Sequence, residues 1–541
     1  MDAHAARKRD RQPSVPDRAE TLDPADWASV AALAHRMVDD AVRHLRDLRE
    51  RPVWQPMPKH VEAQFHAPLP DGPTPIEGVY EIVRNNVLSY PMGNIHPRFW
   101  SWFMGSGNFT GALADFIAAV QGSNVGGGSH AAALIDQQVV GWLRQMVGLP
   151  ESGSGTLVSG GSMANLLGLT VARNAMAGID LREEGLSALP RPMRFYASDQ
   201  AHSCHRKAVE AIGLGYKALR RSRTDSACRI DMEALRRAIA EDRRAGHAPA
   251  CIIGTAGTVN SGAMDDLTAL ADLAEEEGLW FHVDGCIGAL LAIAPQNAWR
   301  VKGIERADSL ALDPHKWLHA PFEVGCALFR DRAKHRATFA VSPEYLQATE
   351  RGIASAEFLF EYGLQTSRGF GALKVWMAMM EHGAAKFGRL IDQNIAQAAR
   401  LADLVRSHPP LQLVAEPEIN IVCFRYAPAG FDEEETKRLN VEIMLRLQEA
   451  GTAALSDTTL RGRHCLRAAI CNHRTLDSDI DLLVAEILRI DPREIYIAGY
   501  RQPDGRYTEG VEEVLKPLYA RLGKGHSDTM RNWNTIEKVL T

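Results

Sequence analysis

A chain of 541 residues is too long for one simple hydrophobic core, so a large domain with smaller lobes is expected. Hydrophobic residues make up 45% and charged residues 24%, the balance of an ordinary soluble globular protein. The formal net charge of −6 comes from interspersed acids and bases, without a basic stripe for nucleic acid, and no apolar run approaches the ~18 residues of a membrane span.

Residues 1–22 are polar, read as disordered, and lack the apolar stretch of a secretion signal. Asp23-Pro24 predicts a helix start, and Trp27, Val30, Leu33, Met37, Ala41, Leu45 and Leu48 recur at helical spacing. Residues 51–75 are Pro-rich without a period, which suggests an arm laid over another surface. From about 95 to 385, short apolar strands alternate with amphipathic helices. Strands are predicted at 156–158, 194–198, 250–254 and 280–283, with helices at 163–175, from 203, and at 267–277. Such alternation argues an α/β domain with a largely parallel sheet covered on both faces. Beyond 400 the texture becomes that of a small α+β lobe, with strands at 419–426 and 465–470 and helices at 433–450 and 476–489. The expected division is therefore a disordered 1–22, a helical dimerisation arm 23–94, a large domain 95–395, a small domain 396–490 and an extension 491–541.

The eight cysteines are irregularly spaced, and several lie in apolar runs. Reduced thiols in a cytoplasmic protein follow from that pattern. His202-Ser203-Cys204-His205 has the residue types of a metal site, but no second ligand pair follows at zinc spacing, so no metal is expected.

Five segments fall at predicted strand ends, where ligands sit in an open α/β sheet. Ser159-Gly160-Gly161-Ser162, between a strand and a helix, offers free N–H groups and a hydroxyl to a phosphate. Asp199-Gln200-Ala201-His202 brings an imidazole able to stack on a flat ring, and Gly254-Thr255-Ala256-Gly257-Thr258 brings hydroxyls and small residues. Phe281-His282-Val283-Asp284-Gly285-Cys286 ends in a carboxylate, and 32 residues after Asp284 comes Lys316 in Asp313-Pro314-His315-Lys316-Trp317. A lysine can form a Schiff base with an aldehyde cofactor, and a carboxylate can pair with a protonated pyridine nitrogen. Together these are a protein's handles on pyridoxal 5'-phosphate.

The chain resembles the pyridoxal-phosphate-dependent amino acid decarboxylases of the group that includes the aromatic L-amino acid, histidine and glutamate enzymes. The resemblance runs from about 27 to 490. It is carried by His96-Pro97-Arg98-Phe99, Ser198-Asp199-Gln200-Ala201-His202-Ser203, His282-Val283-Asp284, Pro314-His315-Lys316-Trp317, Ala372-Leu373-Lys374-Val375-Trp376 and Leu466-Arg467-Ala468-Ala469-Ile470. It implies the type I, aspartate-aminotransferase-like fold, with a mostly parallel seven-stranded sheet and a small C-terminal α+β domain. It also implies a homodimer with the active site at the subunit interface.

By that match Lys316 is the Schiff-base lysine, Asp284 the partner of the ring nitrogen and His202 the stacking group. Gly161, Ser162, His315 and Asp313 hold the phosphate; Thr255 and Cys286 line the ring. Ser342-Pro343-Glu344-Tyr345-Leu346 resembles the mobile catalytic loop, with Tyr345 as its proton donor. Trp100, Trp102 and Phe103 give the substrate pocket an aromatic wall. Asn124-Val125-Gly126-Gly127-Gly128 stands where the animal aromatic enzymes place Ile and Phe, which implies a wall that is opened or more polar, and Asp313 stands where they have Asn. The implied activity is decarboxylation of an L-amino acid to its amine. The alternatives are an aldehyde synthase, another lyase or aminotransferase of the same fold, and a non-catalytic dimeric scaffold.

Overall fold

The computed structural model describes residues 21–341 and 343–491. The expectations for 1–20, Ser342 and 492–541 lie outside the described residues. The chain divides into two units, and the smaller takes residues up to Arg51 together with Gln64–Ser89. Its main helix spans Trp27–Arg46. Asp26, rather than Asp23, is its cap: the carboxylate accepts from the N–H groups of Ala28 and Ser29, two donors the helix itself cannot satisfy. Tyr80, on the helix Ile76–Ile82, donates to Asp40 at 2.8 Å within this unit. Pro52–Ala63 belongs to the larger unit, where the Val53 N–H donates to Gly451 O. The predicted arm at 51–75 is therefore not one continuous element.

The larger unit contains two sheets. The first orders its strands β1-β7-β6-β5-β4-β2-β3. They are β1 (Ser154–Val158), β2 (Met193–Ser198), β3 (Leu219–Ser222), β4 (Ala248–Thr255), β5 (Trp280–Asp284), β6 (Ser309–Leu312) and β7 (Gly325–Phe329). Only β7 runs antiparallel to its neighbours β1 and β6. The other six run in one direction, so the carboxyl ends of β1, β2, β4, β5 and β6 share an edge. The central strands are mostly apolar, and β5 is buried at every position, its polar His282 and Asp284 included, as a strand covered on both faces must be. The helices Gly161–Met176 and Leu267–Glu277 pack on this sheet.

The second sheet is four-stranded and antiparallel, ordered β10-β11-β9-β8: β8 (Leu411–Ala415), β9 (Ile421–Tyr426), β10 (Ser456–Leu460) and β11 (Arg463–Ala469). Helices Glu433–Glu449 and Ala372–Ser407 pack on it, and Asp477–Arg489 packs on the latter. The expected boundary at 395/396 falls inside the helix Ala372–Ser407, which bends at Gly383, where φ is +70°. That helix contributes to both cores, so the two lobes share an element.

Candidate active site

The carboxyl edge of the large sheet opens into a cavity of about 440 Å³. Lys316, Asp284, His202, Gly161, Ser162, Thr255, Cys286, Asp313, His315, Trp102 and Phe103 all line it. These residues come from six separate stretches of sequence, five of them following strands whose shared direction brings them together.

Asp284 ends β5 and is buried. Its Oδ2 lies 3.3 Å from His205 Nε2, and its Oδ1 accepts from the Cys286 N–H at 3.2 Å. Burial works against the charge, but His205, Cys286 and Lys316 outweigh it and hold the carboxyl well below the usual carboxylate range. His205 Nε2 also lies 3.2 Å from Asn165 Oδ1, which lies 2.8 Å from His282 Nε2. Asn165 donates its amide to Gly161 O, so its oxygen is left to accept from both imidazoles. His282 Nδ1 then faces Ser309 Oγ at 2.8 Å, which accepts from Trp280 Nε1. This buried chain, which meets the cavity at Asn165 and Asp284, fixes the orientation of Asp284.

Lys316 sits on the short helix Pro314–Trp317, which follows β6. The proline fixes the first turn. Trp317 turns into the core, fully buried, with its indole N–H toward Asn394 Oδ1, while Lys316 faces the cavity. Lys316 Nζ lies 3.0 Å from Asp313 Oδ2 and 5.6 Å from the Phe103 ring centre. Burial opposes its charge, but Asp313 foremost, then Cys286 and Asp284, hold the amine above its ordinary range. His315 accepts from the Val324 N–H, and its Nε2 lies 3.8 Å from Asp313 Oδ2; burial lowers its pKa.

The helix Gly161–Met176 begins at the cavity, where its first N–H groups have no partner within the helix. A side chain at 161 would collide with Cys286 Sγ and come within 2.7 Å of Asp313 Oδ2, so only glycine leaves this cradle open. Thr255 Oγ1 and Asp313 Oδ1 are buried without partners. His202 faces the cavity; burial lowers its pKa, with Asp284 opposing.

Three expected site residues do not line this cavity. Trp100 is wholly buried in the core of the small domain, with its indole N–H donating to Thr475 Oγ1. Asn124 is used by the backbone: its Oδ1 accepts from the N–H groups of Gly126 and Arg368. The glycines after it do not open a wall. Gly127 has φ +146°, and a Cβ there would meet Phe358 Cα at 2.6 Å, so these glycines permit close packing on the 353–366 segment. Tyr345 lies on the turn Glu344–Leu346 and is 81% exposed. Conversely, sequence reasoning missed His205 and Asn165 as supports of Asp284. His205 was visible only as a metal ligand, yet its imidazole is taken by Asp284 and Asn165, and burial pushes the adjacent Cys204 thiol up.

An amine, a carboxylate fixed in its charged form, unpartnered hydroxyl and amide donors and a glycine cradle are what pyridoxal phosphate requires of its site. The family described as "Pyridoxal-dependent decarboxylase conserved domain" matches residues 58–427. The chain belongs to this family. The decarboxylase is 33% identical to the aromatic-L-amino-acid decarboxylase of Bacillus atrophaeus over 464 residues, 84% of this chain and 94% of that one. It is 28% identical to the phenylacetaldehyde synthase of Arabidopsis thaliana over 466 residues, covering 83% and 93%. The crystal structure of Oryza sativa TDC with PLP and tryptamine superposes with a TM-score of 0.79 at 27% identity, covering 86% of this chain and 99% of that one. The protein is a pyridoxal-phosphate-dependent amino acid decarboxylase of the type I fold.

Proposed function

We propose that the enzyme decarboxylates an aromatic L-amino acid to its amine, as a homodimer in the cytoplasm. The observation that carries the substrate class is the wall made by Trp102 and Phe103 beside Lys316. The relatives that act on aromatic amino acids, named above, support it. The helix Phe109–Gln121 supports the dimer: it exposes Phe116, Ile117 and Val120, and the helix it packs against exposes Met380. Eight free cysteines, seven of them buried, support a reducing compartment.

When bound, pyridoxal phosphate supplies the electron sink for the pair released with CO2. Lys316 would hold the cofactor's aldehyde carbon. Asp284, kept charged by His205 and Cys286, would keep a proton on the ring nitrogen. His202 would pack on the ring, and the N–H groups of Gly161 and Ser162 would hold the phosphate. Trp102 and Phe103 exclude water and orient the substrate side chain. Tyr345 returns a proton to the substrate Cα. Its exposure, and its absence from the walls of its own cavity, support a role in the cavity of the second copy.

Incubating the enzyme with the common amino acids and measuring amine, aldehyde and CO2 tests this reading. Aromatic substrates should dominate, with amine as the product. Tyr345→Phe should lower amine formation about a hundredfold or more, since a placed proton donor typically contributes 10²–10⁴-fold. Aldehyde and peroxide rising as amine falls would mark this phenol as what separates a decarboxylase from an aldehyde synthase. Amine formation at the parent's rate would assign the proton to another group.

A further inference from the structure

The strip 124–128 is laid against one later stretch of chain, residue by residue. The Val125 N–H donates to Arg368 O at 2.9 Å, the Phe360 N–H to Gly126 O at 2.8 Å, and the Ser129 N–H, just past the strip, to Ile353 O at 2.8 Å. Arg368 answers with its own N–H to Asn124 Oδ1 and a guanidinium N–H to Val125 O, and the same guanidinium nitrogen reaches Asp136 at 3.0 Å. Glycine lets the two backbones touch. A Cβ at Gly126 would collide with Thr366 O, one at Gly127 would stand 2.6 Å from Phe358 Cα, and one at Gly128 3.0 Å from Ile353 O. At Gly127 and Gly128 φ is +146° and +104°, which any residue with a side chain adopts at a cost. Tyr345 lies eight residues before Ile353. Between them the chain folds back on its own stem: the Thr349 N–H donates to Ala354 O at 3.0 Å, and the Ser355 N–H to Gly352 O at 3.1 Å. Residues 347–353 are all exposed. The strip is thus where the exposed stretch that carries the phenol regains packing.

We propose that Gly126, Gly127 and Gly128 are positioning residues for Tyr345. By seating the stem 353–368 they set where the phenol is delivered, and through it the share of turnovers that end in amine. This rests on the reading that Tyr345 returns the proton to the substrate Cα. Amine results when the electron pair left behind by CO2 takes up that proton. Aldehyde results when the pair passes to dioxygen instead; for each CO2, one O2 and one water are consumed, and one ammonia and one hydrogen peroxide are released. A phenol held off its place slows the first route and leaves the second open.

The test uses the full chain loaded with cofactor and an aromatic amino acid that the parent turns over, with amine and aldehyde measured per bound cofactor. Gly127→Ala should lower amine formation about tenfold or more and raise the aldehyde share, since a shift of ~1 Å at a reacting group can cost about a hundredfold. Cleavage by trypsin after the exposed Arg351 should quicken, with the cofactor's absorbance unchanged. Phe358→Ala, which empties the other side of the same contact, should move both readings in the same direction and serves if the glycine variant folds poorly. In a Tyr345→Phe background, Gly127→Ala should shift the ratio of amine to aldehyde no further, a result that a general loss of packing would not give. A parental ratio in the folded single variants, or a further shift in the double variant, overturns the inference alone while Tyr345→Phe still lowers amine. Parental amine formation in Tyr345→Phe overturns the proton-donor reading and this inference together.

Discussion

Asp284 owes its charge to residues far from it in sequence. His205 and Asn165 lie 79 and 119 residues before it, yet they join it to His282 in one buried network. A buried carboxylate with no such partners would take up a proton instead. Asp284→Asn keeps the shape and removes the charge. It should leave pyridoxal phosphate bound but reduce turnover roughly a hundredfold or more, as loss of a preorganised charge does; near-parental turnover in a steady-state assay would remove Asp284 from the chemistry. The residues that touch the cavity were largely legible, because each sits at the end of an apolar run. The supports were not, because a hydrogen bond between helix and strand leaves no spacing in the sequence. Trp100 misled for a related reason. Its neighbours Trp102 and Phe103 face the cavity, but the backbone turns at Trp102, where φ is +53°, and puts Trp100 on the other side.

Elements were readable where caps and periodicity agreed. Leu267–Glu277 is bounded by Asp266, whose carboxylate accepts from the Ala269 N–H, and by Gly278 at φ +65°. The strands β3, Leu-Arg-Arg-Ser, and β10, Ser-Asp-Thr-Thr-Leu, escaped notice because edge strands carry polar side chains. The reversed direction of β7 was likewise hidden, since direction depends on the connection and not on composition. Elements also store the acid sensitivity of the fold. His335, on the helix Arg332–Phe339, stacks on Phe329 with ring centres 3.7 Å apart and bonds through both nitrogens, to Ser154 Oγ and Tyr362 O. Burial lowers its pKa from 6.5 to about 3 and that of His282 likewise to about 3. Unfolding therefore takes up protons between those values, so stability falls as pH drops from 6.5 toward 3. Asp265 works the other way, because burial raises its carboxyl to about 6 despite N–H bonds from Ile230 and Thr255. Among the described residues the histidines lowered by burial outnumber the aspartates raised by it, eight to three, which leaves a net loss in acid. Thermal melts should show a falling midpoint below neutral pH, and His335→Gln should flatten that fall; an identical slope in the variant would exclude His335 as a source.

At the scale of the molecule, the exposed apolar face of Phe109–Gln121 is the feature a lone chain does not explain. Phe116 is 63% and Val120 74% exposed on a helix of high apolar content. Exposed apolar surface of this kind is what the proposed dimer would cover. Val120→Glu should weaken self-association at least about tenfold, because burying an unpaired carboxylate costs several kcal/mol. Sedimentation across a concentration series measures it, and an unchanged dimer would move the interface elsewhere.

Residues 98–102 have a consequence for how the protein is made. The Trp100 N–H donates to Ala454 O, its carbonyl accepts from the Ala469 N–H, and its indole reaches Thr475. Trp102 is gripped by Ser456 and Arg467. During synthesis this early segment emerges more than 350 residues before any of these partners. Closing so long a loop comes late in folding. A nascent chain halted before residue 454 lacks every one of these contacts, so its cavity would have a sheet edge, a lysine and a carboxylate but no fixed aromatic wall. The aromatic wall is thus completed only when the last of the described strands, Ser456–Leu460 and Arg463–Ala469, have left the ribosome, so its formation waits on translation of the small domain.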